Sequence, residues 1–157
     1  MPLLGVIAIL IAGAGISSAL VADSLTSVLR SRALLELLEL TRGSVENYAM
    51  SASEILSGCP EELIRRCGYR DESGFPRSFL ELAERCEIPD PESEKLFFDF
   101  ARSFGKDSRQ RQSEACSMCI DAMRARLYEM ERQLPVRRKV IISVCGAAAL
   151  VCVILLI

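Results

Sequence analysis

The sequence predicts an all-α fold: a cytoplasmic helical bundle of about five to six helices between an N-terminal and a C-terminal transmembrane helix. Two long stretches without charge, Met1 to Ala22 and Val140 to Ile157, bracket the chain. All 19 basic and 21 acidic side chains lie between Asp23 and Lys139. Within that middle, apolar residues recur at steps of three and four, and no alternating run argues for a strand. The expected divisions are therefore 1–22 and 140–157 as membrane helices and 23–139 as the bundle.

The first stretch runs from Leu3-Leu4-Gly5-Val6-Ile7 to Ala22 and has the length of one bilayer crossing, since about 20 helical residues span ~30 Å. A cleaved signal peptide is the competing reading. It calls for a basic n-region and a small-x-small site, but no charge precedes Asp23, and Leu20 before Ala22 makes a poor site. Val140 to Ile157 is entered directly from Arg137-Arg138-Lys139 and reads as a tail anchor. Gly13, Gly15, Ser17 and Ala19 in the first helix, and Gly146 to Ala149 in the second, offer small faces for close packing, although such spacings are ordinary in membrane helices. Arg30 and Arg32 follow the first span, and Arg132, Arg137, Arg138 and Lys139 precede the second. By the positive-inside rule this places residues 23–139 in the cytoplasm.

The first helix is expected to continue out of the bilayer with Leu25, Val28, Leu29, Leu34, Leu35 and Leu38 recurring along it, and to break at Gly43. Ser44 then caps a second helix carrying Val45, Tyr48, Ala49, Ala52, Ile55 and Leu56 on one side, closed by Gly58. Pro60 suits the first turn of a short helix from Glu61 to Cys67. Gly68 to Pro76 reads as turn, and Arg77 to Cys86 as a helix with Phe79, Leu80, Leu82 and Ala83 inward. Asp90-Pro91 is a stronger start, because Asp is a good N-cap, Pro fits the first helical position, and Glu92 and Glu94 face the positive end of the dipole. Phe97, Phe100, Ala101 and Phe104 form that helix's apolar face, with Leu96 beside it and Gly105 as its stop. Asp107 with Gln110 resembles a capping box opening a last helix. Along that helix Cys116, Cys119, Met123, Leu127, Met130 and Leu134 make one buried stripe, and Pro135 is expected to kink it.

Composition narrows the function. A net charge of -2 gives no electrostatic footprint for nucleic acid. Histidine is absent, which removes the commonest general base and transition-metal ligand. Seven cysteines, an odd number without a visible disulfide framework, suit a reducing compartment. Cys116-Ser-Met-Cys119 has the spacing of thiol oxidoreductases and of zinc sites. However, it falls on the apolar stripe inside a helix and has no second ligand pair, so core packing is the preferred reading. A membrane-tethered thiol oxidoreductase using this pair is the alternative. Glu61-Glu62 are read as dipole partners in a first helical turn. The arginines of the last helix, among them Arg109, Arg111, Arg124 and Arg126, are read as a solvated face, with anionic lipid or an acidic partner surface as the other reading. No catalytic residue, cofactor or metal is expected.

The glycine- and alanine-rich first helix running into Arg30-x-Arg32, Tyr48, and above all Phe104-Gly105-Lys106-Asp107-Ser108-Arg109-Gln110-Arg111-Gln112 together resemble the stage III sporulation protein AB family. That last segment is similar to the family's hydrophobe-Gly-x-Ser-Asp-x-x-x-Gln turn, with Asp107-Ser108 in place of Ser-Asp. The resemblance covers nearly the whole chain. It implies a cytoplasmic domain similar to the helical platform proteins of type II secretion and type IV pilus inner membranes. It also implies a place in the mother-cell membrane around the forespore, among other membrane subunits of a secretion-like channel. The implied partner is the cytoplasmic ATPase called stage III sporulation protein AA. Gly105, Asp107, Ser108, Gln112, Tyr48, Arg30 and Arg32 are then the expected interaction residues, and Arg137, Arg138 and Lys139 the membrane-flanking ones. The expected role is that of a non-enzymatic scaffold, compatible with self-association into a homo-oligomer.

Overall fold

The computed structural model describes residues 2–48, 50–70 and 74–156, with side chains from residue 11 to residue 154 inside those ranges. Ala49, residues 71–73 of the expected turn, and the outermost residues Met1 and Ile157 lie outside the described residues. The described residues form six helices: α1 (Pro2–Tyr48), α2 (Ala52–Gly58), α3 (Glu61–Arg66), α4 (Phe79–Arg85), α5 (Pro91–Ser103) and α6 (Arg109–Leu156). Among them the β structure is confined to one isolated bridge, Tyr69 with Cys86. The chain divides into two compact units. One is Ser27–Glu129, and the other joins the residues up to Thr26 with those from Met130 onward.

Contrary to expectation, α1 does not break at Gly43. A helical glycine costs about 1 kcal/mol relative to alanine, and the burial on either side outweighs that cost. Leu34, Leu37, Leu38, Thr41 and Val45 continue a three-and-four spacing and are all buried. Ser44 is therefore an interior residue whose hydroxyl donates back to the Leu40 carbonyl (3.0 Å), not a cap. The helix ends at Tyr48, which is exposed at 76% and so does not face inward as expected. The N-cap of α2 is Ser51. Its hydroxyl accepts from the Glu54 amide while the Glu54 carboxylate accepts from the Ser51 amide (2.7 Å), a complete capping box.

Further along, Pro60 occupies the N-cap of α3 rather than its first helical position. The next helix, α4, starts at Phe79, behind Ser78 as cap, and its Leu80 is exposed, not inward. Asp90 caps α5 as the sequence signalled, accepting from the Ser93 amide at 2.9 Å. The Asp107–Gln110 box does not form, because the Gln110 amide reaches Glu114 (3.3 Å) along the helix instead. Gln112 supplies the closing bond, its Nε2 donating to the Asp107 carbonyl (2.7 Å). Through Pro135, α6 runs on as one helix.

The core of the unit Ser27–Glu129 has an aliphatic side, built from Leu34, Leu37, Leu38, Leu56, Ile64, Ile120 and Met123, and an aromatic side. In the latter, Phe79 of α4 meets Phe100 and Phe104 edge-on, with ring centroids 5.4 and 4.7 Å apart. These are the offset geometries that ring quadrupoles favour. The connection between α3 and α4 is pinned at Gly68, whose φ of +91° suits only glycine and whose carbonyl accepts from the Glu87 amide (3.2 Å). A Cβ there would sit 2.9 Å from the Glu87 carbonyl oxygen, so the two segments could not close. Arg30 completes this corner, donating to the Glu87 carbonyl at 2.6 Å and to its carboxylate at 3.1 Å.

In the other unit, the N-terminal arm of α1 meets the C-terminal arm of α6 through small residues. A Cβ on Gly13 would lie 3.4 Å from that of Ala149 and 3.9 Å from the Cys145 carbonyl, ordinary contact distances, so the spacing of the two arms here would admit alanine as well as glycine. Large apolar side chains on both arms face outward, including Ile11, Ile16, Leu20, Val144, Leu150 and Ile154. Over Ile11–Tyr48, α1 contains a stretch long and apolar enough to cross a membrane, and very little of that stretch is buried.

Candidate docking site

The α5–α6 turn and the α1–α2 junction come together around a cleft of ≈ 380 Å³ lined by Val45, Met50, Ser51, Phe104, Gly105, Arg109 and Gln112, with Ala52 and Glu54 completing it. Each wall has a local cause. After α5, Phe104 caps the helix through its own amide to the Phe100 carbonyl, and Gly105 then takes a φ of +83°. The space beside Gly105 is open, so conformation rather than packing requires glycine there. On the opposite wall the Ser51–Glu54 box fixes the start of α2. Hydrogen bonds from the Ser51 backbone and hydroxyl hold the Glu54 carboxyl below its usual range.

The two walls are joined by Arg109. Its Nε donates to the Val45 carbonyl at 2.8 Å and its Nη2 to the Glu46 carbonyl, while Ser113 donates to the Glu46 carboxylate (2.8 Å). The last carbonyls of a helix have no partner within it, and a guanidinium suits both their lone pairs and the negative end of the dipole. Arg109 thus satisfies the end of α1 from the first turn of α6 and sets the width of the cleft.

Of the interaction residues read from the sequence, Gly105 and Gln112 line the cleft. Asp107 and Ser108 lie on the same exposed turn, with Asp107 paired to Arg111 at 3.7 Å and the Ser108 carbonyl accepting from the Gln112 amide. Tyr48 is exposed at the end of α1 but does not line the cleft. Arg30 is placed elsewhere, in the Gly68–Glu87 corner, 18 helical residues and roughly 27 Å of helix from Tyr48. Arg32 is exposed on the same turn of α1 as Arg30. Arg137, Arg138 and Lys139 are exposed on α6, immediately before the apolar arm. Ser51 and Glu54 escaped the sequence reading although Ser51-Ala-Ser-Glu54 carries the capping-box signature, because Gly43 was read as the break.

A second polar cluster lies within the bundle. Arg126, read from sequence as part of a solvated face, instead reaches Asp90 with two bonds, Nε at 3.0 Å and Nη2 at 2.6 Å, and Glu92 at 3.0 Å. The Ser93 hydroxyl donates to Asp90 (2.8 Å), and the Ser31 hydroxyl of α1 stands 3.4 Å from that of Ser93. The Arg126 fork, helped by Ser93, holds the Asp90 carboxyl down at about 2 despite desolvation. Every charge here is matched within the fold, so the cluster joins α5 to α6 and offers no free acid or base.

The Cys116–Cys119 pair is buried on α6, with Cys116 fully enclosed and the Cys119 thiol 3.8 Å from the Leu96 carbonyl. Burial pushes the two thiols up to about 11 and about 12 respectively. A nucleophilic or metal-binding cysteine requires thiolate, so both shifts oppose that chemistry. No group of three or more metal-ligating side chains is found among the described residues. We expect Cys116→Ala with Cys119→Ala to cost about 1–2 kcal/mol, the scale of small buried truncations. The check is a denaturant melt of the detergent-solubilised chain alongside its activity in the cell. Loss of function with an unchanged melt would restore the oxidoreductase reading.

Scans against protein-family models, curated proteins and solved structures found no match to this chain.

Proposed function

We propose that the protein is a non-enzymatic membrane platform that docks a cytoplasmic ATPase. The N-terminal arm of α1 and the C-terminal arm of α6 are both membrane spans, and the charged middle of the chain faces the cytoplasm, as its flanking arginines favour. One observation supports the docking element above others: Gly105, Arg109 and Gln112 of the family-like turn share a cleft with the α1–α2 junction. The cleft's mixture of an exposed carboxylate at Glu54, a half-buried amide at Gln112 and the apolar groups of Val45, Met50 and Phe104 resembles the centre and rim of a protein interface more than a substrate pocket. By its sequence resemblance to stage III sporulation protein AB, the chain would couple stage III sporulation protein AA to membrane subunits of the channel in the mother-cell membrane around the forespore.

The test is capture of that ATPase by the full chain in detergent. Gln112→Glu and Asp107→Lys should each reduce capture at least tenfold, about 1.4 kcal/mol. Asp107→Lys gives up only an exposed ion pair to Arg111 and should leave the unfolding midpoint nearly unchanged, whereas Gln112→Glu also loses the bond to the Asp107 carbonyl and should lower it slightly. Absence of capture by the unaltered chain, or undiminished capture by both variants, would end the proposal.

A further inference from the structure

We infer that Arg137, Arg138 and Lys139, with Arg132 five residues earlier, form a collar on α6 that binds the anionic phosphate headgroups of phospholipids and sets the depth at which α6 enters the bilayer. This rests on the reading of residues 140–157 as a membrane span. The four cations are exposed, and none has an ion pair among the described residues. Within Ser27–Glu129 several arginines do meet a carboxylate of the same unit, namely Arg30, Arg42, Arg66, Arg124 and Arg126. After Glu131 the sequence contains no acid at all.

The helix geometry identifies the kind of surface such cations fit. At 1.5 Å and 100° per residue, Arg137, Arg138 and Lys139 lie within about 3 Å along the axis yet fan across about 200° of its circumference. Cations at one depth and on several sides match a layer that surrounds the helix, whereas a docked protein would meet a single face. Immediately beyond them Val140, Ile142 and Val144 are more than half exposed, which is the surface hydrocarbon would cover. Long cationic side chains at such a boundary extend to the phosphates while their stems stay on apolar surface. Basic residues next to a membrane helix gain severalfold in affinity per charge from anionic lipid, and salt screens that gain.

The full chain can be reconstituted in vesicles of phosphatidylcholine with phosphatidylglycerol as the anionic component, and the lipid retained against it measured with spin-labelled analogues of each. Phosphatidylglycerol should be enriched at least threefold over phosphatidylcholine, and 0.5 M salt should reduce the enrichment. Replacing the collar with R132Q, R137Q, R138Q and K139Q together should abolish it, while R137K with R138K should retain it. Equal retention of the two lipids, or enrichment that survives the fourfold glutamine variant, overturns the inference. Reaction of Cys145 and Cys152 in the same vesicles with a membrane-impermeant maleimide, located by mass spectrometry, separates the two levels, because both thiols lie inside residues 140–157. Free labelling without detergent refutes the span as well, and protected thiols without anionic preference refute the collar alone.

Discussion

Phe79→Ala should remove about 3–5 kcal/mol of stability, the usual range for emptying a buried aromatic site. Phe79 is 1% exposed, occupies the first position of α4, and stands edge-on to both Phe100 and Phe104 of the α5 end. Small domains hold only about 5–15 kcal/mol in total, so this variant should unfold at distinctly lower urea in detergent, followed by far-ultraviolet circular dichroism. Phe79→Leu keeps much of the volume and should cost less than about 2 kcal/mol. The milder variant also tests the proposed docking cleft. Phe104 is both a partner of the Phe79 ring and a wall of the cleft, so, under the proposed docking, Phe79→Leu should weaken ATPase capture while the chain stays folded. Undiminished capture by Phe79→Leu would show that the cleft wall does not depend on the aromatic cluster.

The helical class was legible because periodicity and local chemistry agree over most of the chain. Asp90-Pro91 starts α5 where the sequence says it should, since its N-cap needs no distant partner. Gly43 misled because its cost is local and small, while the compensating burial of Thr41 and Val45 comes from tertiary packing that sequence does not display. Displacing that break also misassigned Tyr48 and hid the Ser51–Glu54 box. The cleft was half legible: the Gly105–Gln112 turn stood out, but its opposite wall depends on Arg109 reaching carbonyls 64 and 63 residues away in the chain. Arg126 was misread for the same reason. Nothing in a run of arginines shows which one finds a buried carboxylate across the bundle.

The Asp90–Arg126 pair carries the second large expectation. Asp90 is 8% exposed and serves twice, as the cap of α5 and as the counter-charge of Arg126. Asp90→Ala removes both functions and leaves a half-buried guanidinium with the exposed Glu92 and the weaker influence of Glu129, so it should cost about 3 kcal/mol, the cap supplying about 1 of that. Asp90→Asn keeps a capable cap but loses the charge, and its cost should therefore fall below that of alanine. Replacing both partners, Asp90→Leu with Arg126→Met, should recover part of the loss, because no uncompensated charge stays behind. The carboxyl's pKa is depressed in the fold, so the pair's contribution is complete above the ordinary aspartate range near 3.8 and is lost as pH falls toward about 2. Denaturant midpoints of the wild type and Asp90→Asn should accordingly differ at pH 6 and converge between pH 4 and about 2. A gap that stays constant through that window would mean that the aspartate acts through its shape and not its charge.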